Sequence, residues 1–139
     1  MITTRGRYAL RVIIDLAEHN KDSYIPMKEI VARQGISQKY MEQIMPVLIK
    51  NKLVHGISGK GGGYRLTRSP EEYSVGEILS LTEGGLAPVA CLECGAEKCD
   101  RAEDCRTLPM WQKYSELTRD FFNGITIAEL MKTNESIKS

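Results

Sequence analysis

From Thr4 to about Glu18 the apolar residues Ala9, Val12, Ile13, Leu16 and Ala17 recur at helical spacing, with Arg5, Arg7 and Arg11 between them. The pattern predicts a first helix with one buried stripe. Asn20 to Ser23 is a turn, and Ile25-Pro26 leads into a short helix, Met27 to Gln34, that buries Ile30 and Val31. It stops at Gly35, a residue suited to the left-handed conformation of a helix terminus. Ser37 is a good N-cap for a third helix running towards Asn51, with Tyr40, Met41, Ile44, Val47 and Leu48 as its inner face. Pro46 removes one backbone donor there and crowds the carbonyl of Glu42, which predicts a kink or an early tightening.

Two strand-like runs follow, Leu53 to Ile57 and Tyr64 to Thr67, joined by the glycine-rich stretch Ser58 to Gly63, and they read as a hairpin. Ser74-Val75-Gly76-Glu77 matches a capping box that opens a helix through Leu81, ending near Gly84-Gly85. Pro109 starts a long helix in which Trp111, Tyr114, Leu117 and Phe121 form a seam, reinforced by Met110 and Phe122. Asn123-Gly124 stops it, and Thr126 to Glu129 is a second capping-box match for a short terminal helix. The predicted fold class is mainly α with a small β-hairpin: a winged helix-turn-helix plus a long C-terminal helix. Residues 1–84 would form the winged domain, 85–106 a cysteine-rich loop, 107–132 the long and terminal helices, and 133–139 a tail.

Charge sharpens this division. The net value over 139 residues is only +1, but residues 1–68 carry 12 Lys+Arg against 5 Asp+Glu, and residues 69–139 carry 7 against 13. The basic half is the one suited to a polyanion, or else presents a solvated basic face. In a winged helix-turn-helix the second helix of the pair enters the major groove of DNA, and the hairpin tip reaches phosphates or the minor groove. Gln38, Lys39, Glu42 and Gln43 occupy the outward positions of that helix. Gln can pair with adenine, Glu can accept from cytosine, and Lys can meet guanine or phosphate. At the tip, Lys60 is a candidate phosphate contact, with Gly61 and Gly62 allowing close approach.

No enzyme is expected. The glycine loop 59–63 leads into a strand rather than a helix and lacks a Gly-Lys-Ser/Thr ending, so it is not a nucleotide-binding turn. Neither His19 nor His55 has a visible nucleophile partner, and Lys60 spoils Gly56-Ile57-Ser58-Gly59 as a nucleophile elbow.

All four cysteines, Cys91, Cys94, Cys99 and Cys105, lie in one stretch with two, four and five residues between them. A short loop folds back at little closure cost, so such thiolates can converge on one iron-sulfur cluster or one zinc ion. Two disulfides, or reduced cysteines packed as small hydrophobes, are the alternatives. The amino terminus shows no signal-like apolar run and no stretch approaches a membrane span, so a cytoplasmic protein is expected, where thiols stay reduced. The loop 91–105 holds five acidic and two basic residues and should not face phosphate. Zinc stays open because the spacing approaches that of a zinc knuckle, although the aromatic and basic residues of a nucleic-acid-binding knuckle are absent.

Four segments together resemble the Rrf-type bacterial transcription regulators, the family that includes IscR, NsrR and CymR. They are Thr4 to Ala9, Ser37 to Gln43, Gly59 to Tyr64 and Phe122 to Leu130. The resemblance covers almost the whole chain. It implies a homodimer on a palindromic double-stranded operator, with one winged domain per subunit, the long helix as dimer contact through Trp111, Tyr114, Leu117 and Phe121, and cluster state controlling DNA binding. Arg5, Arg7 and Tyr64 fall within its matching segments and join the expected DNA contacts. Cys94, Cys99 and Cys105 look like the three cluster cysteines of the IscR type, with four residues rather than five between the first two. IscR-like proteins take a histidine three residues after the last cysteine, where this chain has Leu108. NsrR-like proteins use an aspartate of the first helix, where this chain offers Arg7 and Tyr8. Cys91 is the substitute, and a 2Fe-2S cluster is favoured over 4Fe-4S on the spacing of the last two cysteines. A repressor role in iron-sulfur or redox sensing is the expectation. A cysteine-metabolism regulator acting through a partner enzyme or a thiol switch, a zinc-stabilised regulator, and an electron carrier are the alternatives.

Overall fold

The computed structural model describes residues 2–19, 23–93, 97 and 99–131. In chain order the elements are α1 (Thr4–Glu18), α2 (Met27–Gln34), α3 (Gln38–Lys50), β1 (Val54–Ile57), β2 (Gly63–Leu66), α4 (Val75–Glu83), α5 (Leu108–Asn123) and α6 (Ile127–Leu130). Single 3-10 turns lie at Pro70–Glu72 and Ala90–Leu92. Among the described residues no helix is long and apolar enough to cross a membrane.

The periodic stripe of α1 explains its central place. Ala9, Val12, Ile13 and Leu16 are fully buried and meet Ile30, Met41, Ile44, Leu48, Tyr73, Ile78 and Ile127 from five other parts of the chain. Each fully buried aliphatic side chain contributes about 1.5–3 kcal/mol, so this stripe organises the winged domain. Val31, Tyr40 and Val47 are only half-buried, while Met45, which the helical pattern did not single out, is buried. The α3 helix runs unbroken through Pro46, whose side chain is exposed. Gly35 takes the left-handed conformation at φ 64° and ends α2.

Charge fixes α2 against α1. Asp15 is fully buried, and its carboxylate accepts from Arg33 Nε (3.0 Å), Arg33 Nη2 (2.8 Å) and Gln34 Nε2 (2.8 Å). Arg11 of α1 donates in turn to the side chain and the backbone carbonyl of Gln34.

The hairpin is antiparallel, pairing Val54 with Leu66, His55 with Arg65, Gly56 with Tyr64 and Ile57 with Gly63. Relative to the runs the sequence suggests, the first strand begins one residue later and the second is shifted back by one. Leu53 instead closes the end of α3, donating to the Leu48 carbonyl (2.9 Å), and the Thr67 amide donates to the Tyr73 hydroxyl (3.0 Å). Ile25 adds a third extended residue, exchanging backbone hydrogen bonds of 2.8 and 2.9 Å with Tyr64. A side chain at Gly63 would overlap the Ile25 carbonyl, so glycine is required for this join.

Ser74 caps α4 by accepting from the Glu77 amide (3.0 Å). The reciprocal half of the capping box is replaced, because Arg68 takes both Glu77 oxygens at 2.7 and 3.1 Å. Thr126 caps α6 through the Glu129 amide (3.2 Å). A second, smaller apolar cluster gathers Val75, Leu79 and Ile125 with Ile2, Leu86 and Phe122, and seats α5 on α4.

Candidate nucleic-acid interface and cysteine loop

Ser37, extended at the start of α3, accepts from the Tyr40 amide (3.1 Å) and so fixes the first turn of the recognition helix. Gln38, Lys39, Glu42 and Gln43 are all exposed on it. Gln38 Nε2 donates to Glu42 Oε1 (3.3 Å), which holds the carboxylate along the exposed face. Tyr40 turns the other way, its ring edge-on to Tyr8 at 5.1 Å, while Arg11 covers the Tyr8 ring at 5.3 Å.

At the hairpin tip Lys60 and Gly61 are exposed, and Gly61 has φ 77°, a conformation a side chain would strain. Tyr64 is half-buried against the core, facing Gly56, so it supports the wing from inside more than it extends it. Arg5 and Arg7 are exposed on the first turn of α1, and Arg7 donates to Thr4 Oγ1 (3.2 Å). The structure thus places one face of α3, the wing tip and the start of α1 at the surface with a basic excess.

Four side chains around this surface, Glu83, Tyr24, His55 and Arg65, were not singled out as part of it by sequence. Glu83 reaches the start of α1, accepting at Oε1 from the Gly6 amide (3.1 Å). On the outer face of the hairpin His55 Nδ1 shares a hydrogen bond with the Tyr24 hydroxyl (2.8 Å), and Arg65 lies over the Tyr24 ring at 5.0 Å. These depend on chain segments far apart in sequence, so no local pattern announces them.

The cysteine segment leaves α4 at Gly84, left-handed at φ 75°. Cys91 lies in the Ala90–Leu92 turn and is exposed, Cys99 is exposed, Cys105 is half-buried, and all three thiols are free. Cys94 lies outside the described residues. Cys105 Sγ is 3.5 Å from Thr107 Oγ1. Hydrogen bonds from the Thr107 side chain, and then from the Thr107 and Leu108 backbone, hold its thiol below the usual range. Among the described residues no three His, Cys, Asp or Glu side chains converge as a metal site. The donor chemistry nevertheless fits a soft metal: three accessible unpaired thiols, one biased towards thiolate. Leu108 opens α5 and offers no donor atom.

None of the α5 side chains is buried. Tyr114, Leu117 and Phe121 are 55, 57 and 50% exposed, and with half-buried Trp111 they line an apolar groove closed on its other side by Ile2, Leu86 and Pro88.

Residues 2–133 match the Rrf2 family, described as iron-dependent transcriptional regulators. The chain belongs to that family. It is 37% identical over 134 residues to the HTH-type transcriptional regulator IscR of Pectobacterium carotovorum subsp. carotovorum, a match covering 96% of this chain and 80% of that protein. IscR of Yersinia enterocolitica is 35% identical over 137 residues, covering 99% and 82%. Among solved structures, CymR, the global cysteine regulator of B. subtilis, superposes with a TM-score of 0.80 at 27% identity, covering 97% of this chain and 98% of that one. T. potens IscR superposes at 0.74 and 32% identity, covering 97% and 88%. The winged-helix architecture is therefore that of the family, and the protein is a DNA-binding transcriptional regulator rather than an enzyme.

Proposed function

We propose that this regulator acts in the cytoplasm as a homodimer that binds a palindromic duplex and whose affinity is set by the state of its cysteine loop. The observation that carries the reading is the confinement of every cysteine to residues 91–105 of an otherwise cysteine-free chain, with the described thiols unpaired and accessible. The IscR-named relatives support an iron-sulfur cluster as the occupant, and the spacing of Cys99 and Cys105 favours 2Fe-2S over 4Fe-4S. Cys94, Cys99 and Cys105 would supply three thiolates and Cys91 the fourth. A cluster so held would supply one-electron redox chemistry and sensitivity to oxidants. In this reading Gln38, Lys39, Glu42 and Gln43 meet base edges and phosphate, Lys60, Gly61 and Gly62 meet the backbone at the wing, and Arg5 and Arg7 add phosphate contacts at α1. Tyr64 holds the wing in position. Two recognition helices related by two-fold symmetry require two half-sites, which is the physical origin of the palindrome.

The deciding experiment is anaerobic purification with a visible spectrum and iron and sulfide assays, on the wild type and on Cys91→Ser. Equimolar iron and sulfide with loss or change of absorbance in the variant is the expected result. Zinc without sulfide from iron-replete cells overturns the cluster. A second reading, a thiol switch of the cysteine-regulator kind or one acting with a partner enzyme, is favoured by the TM-score of 0.80 to CymR. It predicts no iron, and a DNA affinity that changes when the thiols are oxidised and recovers on reduction.

A further inference from the structure

The first turn of α1 carries Arg5 and Arg7, yet no side chain of α1 caps its amides. Thr3 stands at the N-cap position but makes no capping bond, and the first turn has no acidic residue. The Thr3 and Gly6 amides are instead satisfied by Glu83, the last residue of α4. Glu83 Oε1 accepts from the Thr3 amide (2.9 Å), the Thr3 hydroxyl (2.8 Å) and the Gly6 amide (3.1 Å). A capping box needs two local side chains to satisfy the N-cap and N3 amides, and here one distant carboxylate satisfies both. Its charge also meets the positive end of the α1 dipole.

The fit is close on both sides. A side chain at Gly6 would overlap Glu83 Oε1, and Gly84 closes α4 immediately after Glu83. The same carboxylate lines a cleft with Thr3, Thr4, Arg5, Thr82 and Tyr40, so the start of α1 and the recognition helix α3 meet there.

We infer that Glu83 is a positioning residue for DNA contact: it fixes the first turn of α1 beside α3, so that Arg5 and Arg7 are presented to phosphate together with the recognition helix. The inference rests on the proposed contacts of Arg5 and Arg7. Its physical content is pre-organisation. Without the carboxylate the turn frays, and ordering it again on DNA subtracts from affinity. Phosphate contacts act on any sequence, so the effect is expected on all duplex DNA and in its salt dependence.

The test measures binding to a mixed-sequence duplex over a salt series for wild type, Glu83→Ala, the Arg5→Ala/Arg7→Ala pair and the combined triple variant, with thermal unfolding in parallel. Glu83→Ala is expected to weaken binding about five- to tenfold and to reduce the salt slope by roughly one. In the Arg5→Ala/Arg7→Ala background it should lower the melting temperature as before and leave binding unchanged. A purely structural role would give the same fractional loss of binding in both backgrounds, and that result overturns the inference, as does wild-type binding by Glu83→Ala. Should Glu83→Ala not fold, Glu83→Gln, which keeps an acceptor oxygen without the charge, carries the same cycle with a smaller expected loss, and absence of coupling there overturns it equally. If the Arg5→Ala/Arg7→Ala protein itself binds with wild-type affinity and salt slope, the contact assignment has failed, an outcome distinct from failure of the positioning role.

Discussion

Arg33 grips Asp15 with one edge of its guanidinium, Nε 3.0 Å from Oδ2 and Nη2 2.8 Å from Oδ1. Burial alone pushes the Asp15 carboxyl up, but the Arg33 and Gln34 hydrogen bonds, with the charges of Arg33 and His19, outweigh it and hold the group below its ordinary value. A carboxyl whose folded pKa is lowered stabilises the fold above its unfolded value, about 3.9, and loses that contribution as pH falls through the folded value. Asp15→Asn should cost about 2 kcal/mol at neutral pH, because the buried amide nitrogen would face donors of Arg33 or Gln34 that a carboxylate oxygen now accepts, and should flatten the pH dependence of stability below about pH 4. Urea denaturation from pH 3 to 7 measures both, and an unchanged acid limb in the variant would show that other carboxylates set it.

The Tyr73 hydroxyl is the peg of the wing. It donates to the Leu53 carbonyl (2.6 Å) and accepts from the amides of Thr67 (3.0 Å) and Arg68 (3.2 Å). Tyr73 is itself fully buried. Tyr73→Phe keeps the ring and strands these backbone groups, so a loss of about 2 kcal/mol is expected in thermal or urea unfolding. Loss below a few tenths of a kcal/mol would mean that water replaces the hydroxyl.

Gly6 and Glu83 should be coupled in stability as well as in position. In the wild type, Gly6→Ala displaces the Glu83 carboxylate and should cost about 1 kcal/mol, the worth of a helix cap. In a Glu83→Ala background the obstructing oxygen is gone and the higher helix propensity of alanine remains, so the same substitution should stabilise by about 0.5 kcal/mol. The reversal of sign is the measurement. Equal costs in both backgrounds would place the obstruction at Leu79, whose Cδ2 would lie 3.1 Å from the added carbon.

The apolar groove along α5 calls for a covering surface, and the proposed cover is the same helix of a second copy. Leu117, 57% exposed, contributes little to the fold of one subunit. Leu117→Glu is expected to give a folded monomer in sedimentation with at least tenfold weaker binding to a two-half-site duplex, since one-headed binding forfeits the linked second site. A dimer that persists would move the interface off this seam.

Local pattern alone determined the order of elements. The period of Ala9, Val12, Ile13 and Leu16, the caps at Ser37, Ser74 and Thr126, and the stop at Gly35 all act within a few residues, and each was legible before any contact was known. Pro46, where a kink or an early tightening is expected, does not end the helix, which runs on to Lys50 as the pattern suggests. Strand ends moved by one residue because Leu53 and Thr67 are claimed by Leu48 and Tyr73, partners outside the hairpin. The proposed soft-ligand role of the four cysteines was read from their spacing, since the thiol is itself the signal.

What only the tertiary structure decided is where charged side chains without a pattern find their partners. Nothing in the sequence separates Asp15 from the other carboxylates, or marks Glu83 as the cap of a helix that begins 79 residues before it. Hydrophobic periodicity is a property of neighbours along the chain, whereas a buried ion pair or a borrowed cap exists only once distant segments have been packed within 3 Å or so of each other. The recognition helix could therefore be read from the sequence, while the groups that hold the first helix in register beside it could not.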